Sequence, residues 1–197
     1  MIADHLVHPN HAAKASTRVA LFEILHVVVL SISVNLSSKQ FSQPDLVDQI
    51  KQVLKKSQLE AKSLTLEITE SVVMENAEAA AAALMKLKTL GVQLSVDDFG
   101  TGYSSLSYLH SFPINSLKID RSFIGKMSVD NTSLEIVRTV VALAYSLGMN
   151  VTAEGIETAE QLAQLRALQC QYGQGFLFSK PLDSEAAAKL LSSQPQW

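Results

Sequence analysis

The stretch Leu94–Leu106 reads LSVDDFGTGYSSL. An apolar strand over Val92–Val96 runs directly into two adjacent carboxylates, Asp97 and Asp98. A Gly-Thr-Gly turn follows, and then a short helical pattern. Neighbouring acids at a strand's end repel each other. A divalent cation is the usual remedy, because it offsets the repulsion and takes hard oxygen ligands. Gly100 and Gly102 would let the backbone turn sharply and approach a ligand closely. The competing interpretation is a polar turn that caps a helix through Asp98 or Ser104. The rest of the chain decides between them.

Working outward from this stretch, apolar β-branched segments recur at SISVN (31–35), SLTLEIT (63–69), VQLSVDD (92–98), SLKID (116–120), NVTAE (150–154) and GQGFLFS (173–179). Helical patterns lie between most of them. Pro44–Leu59 opens after Ser42 and carries Leu46, Val47, Ile50, Val53 and Leu54 on one face. Ala77–Leu90 begins after Asn76 and stops at Gly91. Ser133–Leu147 follows Thr132 with Glu135 as a capping box and ends at Gly148, and Thr158 with Gln161 repeats the device. Asp183 or Ser184 caps a last helix through Leu191. Strand–helix alternation of this kind implies α/β architecture, a parallel sheet covered by helices.

The polar residues select a barrel over an open doubly wound sheet. Each strand ends in groups able to do chemistry: Asn35; Glu67 with Glu70; Asp97 with Asp98; Lys118 with Asp120; Glu154 with Glu157; and Gln174. A ring of functional groups at strand C-termini is the layout of a TIM barrel. A Rossmann-type sheet would concentrate its signal in one glycine loop, and no G-x-G-x-x-G follows the first strand. About six βα units are legible where a barrel needs eight, so the expected fold is a TIM-barrel-like (β/α) domain that is N-terminally incomplete.

The ring is rich in oxygen ligands. Asn35, Glu67, Asp97, Asp98 and Glu154 could hold two Mg²⁺ or Mn²⁺ ions sharing a bridging Asp, the recurring device for in-line attack on a phosphodiester. These strands carry no Cys or His, which argues against a zinc hydrolase. Lys118 would supply positive charge toward the attacking water or the phosphate, or a depressed pKa. A plain Lys118–Asp120 ion pair at the rim is the alternative for that residue.

Composition sets the outer bounds. The 197 residues are 47% hydrophobic and 18% charged, with a net charge of −3, which fits a globular domain and argues against non-specific binding to a nucleic-acid polymer. The single Cys170 permits no internal disulfide and suits a reducing, cytoplasmic setting. The apolar run Val19–Val34 is interrupted by Glu23 and His26 and falls short of the ~20 residues of a membrane span. Basic residues precede the run, but no small-residue cleavage site follows, so it does not resemble a signal peptide and no membrane association is expected of this fragment. It is either the end of a helix feeding a strand over Val28–Val34 or extended throughout. Met1–Arg18, with His5, His8 and His11 spaced by three, has the polarity of a frayed terminus. Residues 1–27 therefore form an atypical N-terminal segment and 28–197 the barrel domain.

The motifs NLSSKQF, LEITES, DDFGTGYSSL, LKIDRSFI, TAEGIET and QGFLFSKPL resemble, in order and spacing, the successive signatures of the EAL-domain family of cyclic-di-GMP phosphodiesterases. The resemblance runs from about Val34 to Leu182. It implies that Asn35, Glu67 and Asp97 hold one metal, and that Asp97, Asp98 and Glu154 serve a second. It further implies that Lys118 positions the nucleophilic water and that Glu154 is the general base. Glu70, with Thr69, would brace the Asp98–Ser105 loop near a dimer interface, while Gln174, Glu157 and Asp120 would line the substrate side. The implied reaction is metal-assisted hydrolysis of cyclic-di-GMP to linear pGpG.

One departure stands out. No Glu-Ala-Leu, whose Glu is a metal ligand in that family, occurs ahead of Asn35. Phe22-Glu23-Ile24-Leu25 resembles it loosely and makes Glu23 a possible relic ligand. The missing units leave two unpaired edges and an open apolar interior, which Val19–Val34 could cover by folding back over the gap or by exchange with a second subunit, so the expectation is a homodimer or an insoluble monomer. Two further readings stay open: a catalytically inactive cyclic-di-GMP-binding or dimerisation module, and a barrel hydrolase acting on another phosphodiester.

Overall fold

A computed structural model describes residues 18–20, 30–102, 106–193 and 195. His5, His8, His11, Glu23 and Ser104 lie outside the described residues. Strands β1 (Arg18–Ala20), β2 (Ser31–Leu36), β3 (Leu64–Thr69), β4 (Gln93–Phe99), β5 (Ser116–Ile119), β6 (Asn150–Glu154) and β7 (Tyr172–Gln174) lie side by side in chain order. β2 to β7 are all parallel, and β1 alone is antiparallel, pairing Val19 with Ile32. Six parallel strands thus form a curled half-barrel, the (β/α) architecture that strand–helix alternation implies.

Side-chain alternation gives the sheet two unlike faces. Leu64, Leu66 and Ile68 of β3, Leu94 and Val96 of β4, Leu117 and Ile119 of β5, and Val151 and Ala153 of β6 are buried on the convex face. Helices α2 (Leu46–Ser57), α4 (Ala77–Lys88), α7 (Asn131–Ser146) and α8 (Ala159–Ala167) cover that face, contributing Ile50, Leu84, Leu87, Val137, Ala144 and Leu165 to one core. Shorter helices follow several strand ends: α1 (Ser38–Phe41), α3 (Glu70–Glu75), α5 (Leu106–Ser111) and α6 (Arg121–Ile124). Helix α9 (Ser184–Ser192) closes the order.

The other face is concave and polar, which corrects the expectation of an open apolar interior. Register places Ser33 beside Thr65, Glu67 between Asn35 and Ser95, and Lys118 beside Thr152. Ser116 donates to the Ser95 hydroxyl at 2.9 Å across β4 and β5. The two edges remain: among the described residues β1 and β7 are each paired on one side only.

Two local expectations also change. Helix α7 is capped by Asp130, whose carboxylate accepts the Thr132 and Ser133 N–H groups, and not by a Thr132–Glu135 box. The GQGFLFS segment is strand only through Gln174. Beyond it the Leu177 N–H bonds to the Ile156 carbonyl at 3.0 Å, turning the chain out of the ladder. The Thr158–Gln161 box and the Asp183 cap form as expected. Gly91 and Gly148 sit at φ +86° and +69°, the left-handed geometry of a helix-ending glycine.

If the convex face alone is the core, Leu66→Ala should cost about 2–5 kcal/mol in urea unfolding. Thr65→Ala, on the concave face, should cost less than about 1 kcal/mol.

Candidate metal centre

Strand β4 carries an irregularity at the point where the acids stand. Val96 pairs with Leu117 and Phe99 with Ile119, so Asp97 and Asp98 together oppose the single residue Lys118. This is a β-bulge. Asp98 adopts φ +54°, a left-handed conformation that Asp tolerates better than most residues. In a regular strand adjacent side chains point to opposite faces. Here the bulge brings both carboxylates to one side, where a ligand oxygen from each lies within 4.8 Å of the other and of one from Glu154. The next turn is held from β3's end. Glu70, 1% exposed, accepts the Gly100 N–H at 2.9 Å. Gly100 stands at φ +97°, and a Cβ on Gly102 would come within 2.9 Å of the Glu70 carboxylate. Thr69 is half-buried and paired in register with Asp97.

Lys118 lies at the heart of the cluster. Its ammonium contacts Glu67 at 2.7 Å, Asp97 at 3.0 Å and Glu154 at 2.5 Å, drawing together three strands besides its own. The side chain is 3% exposed. Burial by itself disfavours the charged form, but the charges of Glu67, Glu154 and Asp97 outweigh it and hold the pKa above the ordinary lysine value. The depressed pKa considered from sequence is therefore corrected. So is the Lys118–Asp120 pair: Asp120 instead caps α6, accepting the Ser122 N–H at 2.9 Å. Burial tends to raise the Asp120 pKa, but that hydrogen bond and the neighbouring N–H groups lower it overall.

The remaining sequence candidates take outer places. Asn35 is exposed on β2, beside Glu67 on the concave face. Gln174 is half-buried and paired in register with Glu154, and Glu157 is exposed just beyond β6. The structure thus brings together Glu67, Asp97, Asp98, Glu154 and Lys118, with Asn35 and Gln174 on flanking strands. Glu67, Asp97 and Glu154 surround the one ammonium, and Asp98 stands beside Asp97 and Glu154. The donors are hard oxygens without sulfur or imidazole, a set that fits Mg²⁺ or Mn²⁺. The bulge that aims Asp98 is invisible to a pattern of residue types. Its signal is an Asp-Asp pair, whose second member tolerates a positive φ, followed closely by glycine.

The sequence model of the EAL domain matches residues 12–181. The chain belongs to the EAL-domain family. It is 43% identical over 162 residues to the cyclic-di-GMP phosphodiesterase NbdA of Pseudomonas aeruginosa, covering 82% of this chain and 21% of that protein. A solved structure of the MucR phosphodiesterase in complex with cyclic-di-GMP is 44% identical with a TM-score of 0.77, covering 79% of this chain and 63% of that one. MucR is also a P. aeruginosa protein. The Klebsiella pneumoniae BlrP1 structure with manganese and cyclic-di-GMP is 25% identical with a TM-score of 0.71, covering 88% and 58%. This EAL chain thus spans about a fifth of the length of the curated relatives it matches. Among the described residues, no helix is long and apolar enough to cross a membrane.

Replacing Lys118 by Met should destabilise the metal-free EAL chain by about 3–5 kcal/mol, because three buried carboxylates lose their cation. Added Mn²⁺ should recover part of the loss, read as a rise in unfolding midpoint larger than in the parent. Because the Lys118 pKa is raised on folding, its contribution is fully present below the unfolded-lysine pKa of about 10.4. Unfolding midpoints of the parent between pH 7 and 9 should therefore show no loss from this group. Gly102→Ala should push Glu70 off the Gly100 N–H and weaken Mn²⁺ binding while leaving the convex core intact, measurable by calorimetry beside circular dichroism.

Proposed function

We propose that this EAL chain hydrolyses cyclic-di-GMP to linear pGpG. The observation that carries the reading is the acid cluster around Lys118, buried at the C-terminal ends of parallel strands in a chain 43% identical to a cyclic-di-GMP phosphodiesterase. Asn35, Glu67, Asp97, Asp98 and Glu154 would hold two Mg²⁺ or Mn²⁺ ions, which when bound would neutralise phosphate charge and acidify a water.

The chain's own residues do the rest. Glu154 accepts the proton of the attacking water. Lys118 keeps Glu67, Asp97 and Glu154 in fixed relation and brings positive charge to the phosphate side. The water oxygen forms a new bond to phosphorus, the bond from phosphorus to the ribose 3′-oxygen breaks, and the departing oxygen takes up a proton. Gln174, Glu157 and Asp120 line the substrate side, and Glu70 with Thr69 holds the turn that aims Asp98.

Purified chain with Mg²⁺ or Mn²⁺ should convert cyclic-di-GMP to pGpG, and EDTA should abolish the conversion. Glu154→Gln should lower the rate by about 10²–10⁴-fold. Binding of cyclic-di-GMP without turnover would overturn the hydrolytic proposal in favour of a receptor, and absence of both binding and turnover would overturn it outright.

A further inference from the structure

Phe176 is a large aromatic side chain turned to solvent at 59% relative exposure, although its neighbours Leu177 and Phe178 pack against the core. Leaving much of such a ring in water forgoes hydrophobic stabilisation that burial would give. The backbone around it is fixed on both sides. The Ile156 N–H donates to the Gln174 carbonyl at 3.1 Å, and the Leu177 N–H donates to the Ile156 carbonyl at 3.0 Å. Phe178 and Ser179 both donate to the Gly175 carbonyl. Gly175 approaches Ile156 so closely that any Cβ there would overlap the Ile156 backbone. The turn carrying Phe176 is therefore riveted to the segment that follows Glu154.

Its place in the fold gives the ring a use. Phe176 stands two residues beyond Gln174, the register partner of Glu154, on the C-terminal rim where the acid cluster opens. Among the described residues the other exposed Phe or Tyr side chains, Tyr108 and Tyr145, lie within helices, and Tyr108 already stacks on Phe112. A cyclic dinucleotide offers two kinds of surface: charged phosphates and flat purine faces. The acid cluster and its cations address the phosphates only. A rigidly held aromatic ring, with few rotatable bonds to freeze, is suited to a purine face, and base–aromatic stacking contributes about 1–3 kcal/mol per base.

We infer that Phe176 is a stacking platform for a purine base of the dinucleotide substrate. The inference rests on the proposed cyclic-di-GMP phosphodiesterase reading and adds to it a residue that acts on the base and not on the phosphate.

The test uses the full chain. Phe176→Ala should raise KM for cyclic-di-GMP about 10-fold with kcat within about twofold, and Phe176→Tyr should restore the parent KM. Phe176→Trp, made in a Trp197→Phe background that removes the single native tryptophan, supplies a direct reporter. On stopped-flow mixing with cyclic-di-GMP and Mn²⁺ its emission should be quenched, whereas Mn²⁺ alone or inorganic phosphate should leave it unchanged. Parent turnover with an unaltered KM in the Ala variant and no quench would overturn the platform while sparing the phosphodiesterase reading. Emission that follows protein dilution and ignores nucleotide would make Phe176 a contact between protein copies and overturn it as well. A parent that neither binds nor hydrolyses cyclic-di-GMP would remove both.

Discussion

The ion cluster around Lys118 is the constraint on which the site depends. Two like charges 4 Å apart repel by about 4 kcal/mol at an effective dielectric constant near 20, so buried carboxylates do not gather without compensation. Lys118 supplies it from the middle of the sheet, contacting Glu67 on β3, Asp97 on β4 and Glu154 on β6. Only a parallel arrangement delivers all four side chains at the same height, since every strand then ends at the same rim. The β4 bulge completes the geometry by adding Asp98 to the group. Asp97, Asp98 and Glu154 then offer three close carboxylate oxygens, a hard-donor set of the kind divalent cations take.

The same alternation that aims these side chains explains how half a barrel holds together. Residues pointing to the convex face are apolar and meet the helices, while those pointing to the concave face are Ser, Thr, Asn, Glu and Lys. An incomplete barrel with an apolar lumen would expose a large sticky surface. This one exposes hydroxyl and amide groups that water can satisfy, leaving the strand edges at β1 and β7 as the points where pairing is unfinished. Layered helix-on-sheet packing on one face is enough to bury a core that includes Leu66, Leu94, Leu117 and Val151 completely.

Much of this was legible in the sequence because local rules and tertiary structure agree. The β-branched segments ending in acids became β3, β4 and β6, and glycines 91 and 148 stop their helices in the left-handed conformation a helix end favours. Where two local rules compete, the sequence is ambiguous. Asp130 with Ser133 and Thr132 with Glu135 both have cap spacing, and the carboxylate at 130 wins by accepting two N–H groups. The state of Lys118 was not legible at all, since its three carboxylate partners come from strands 21 to 51 residues away, and no local pattern reports them. Phe176 was hidden for a related reason. GQGFLFS has the composition of a strand, and only the Ile156 backbone, reached across the rim, bends it away after Gln174.

The acid cluster is held by two devices that meet at Asp97. Glu67, Asp97 and Glu154 are fixed by charge-assisted contacts to one buried ammonium, inside a lattice of register-locked strands. Asp98 is fixed by backbone geometry: a positive φ followed by a turn whose Gly100 N–H bonds to the buried Glu70. That turn continues into Thr101 and Gly102, which are exposed. The Asp98 N–H also donates to the Asp97 carboxylate at 3.1 Å, so the turn and the Lys118 cluster meet at Asp97. Asp98 completes the close group with Asp97 and Glu154, so the turn that follows β4 and the ion cluster beneath it together set the geometry of the acid group.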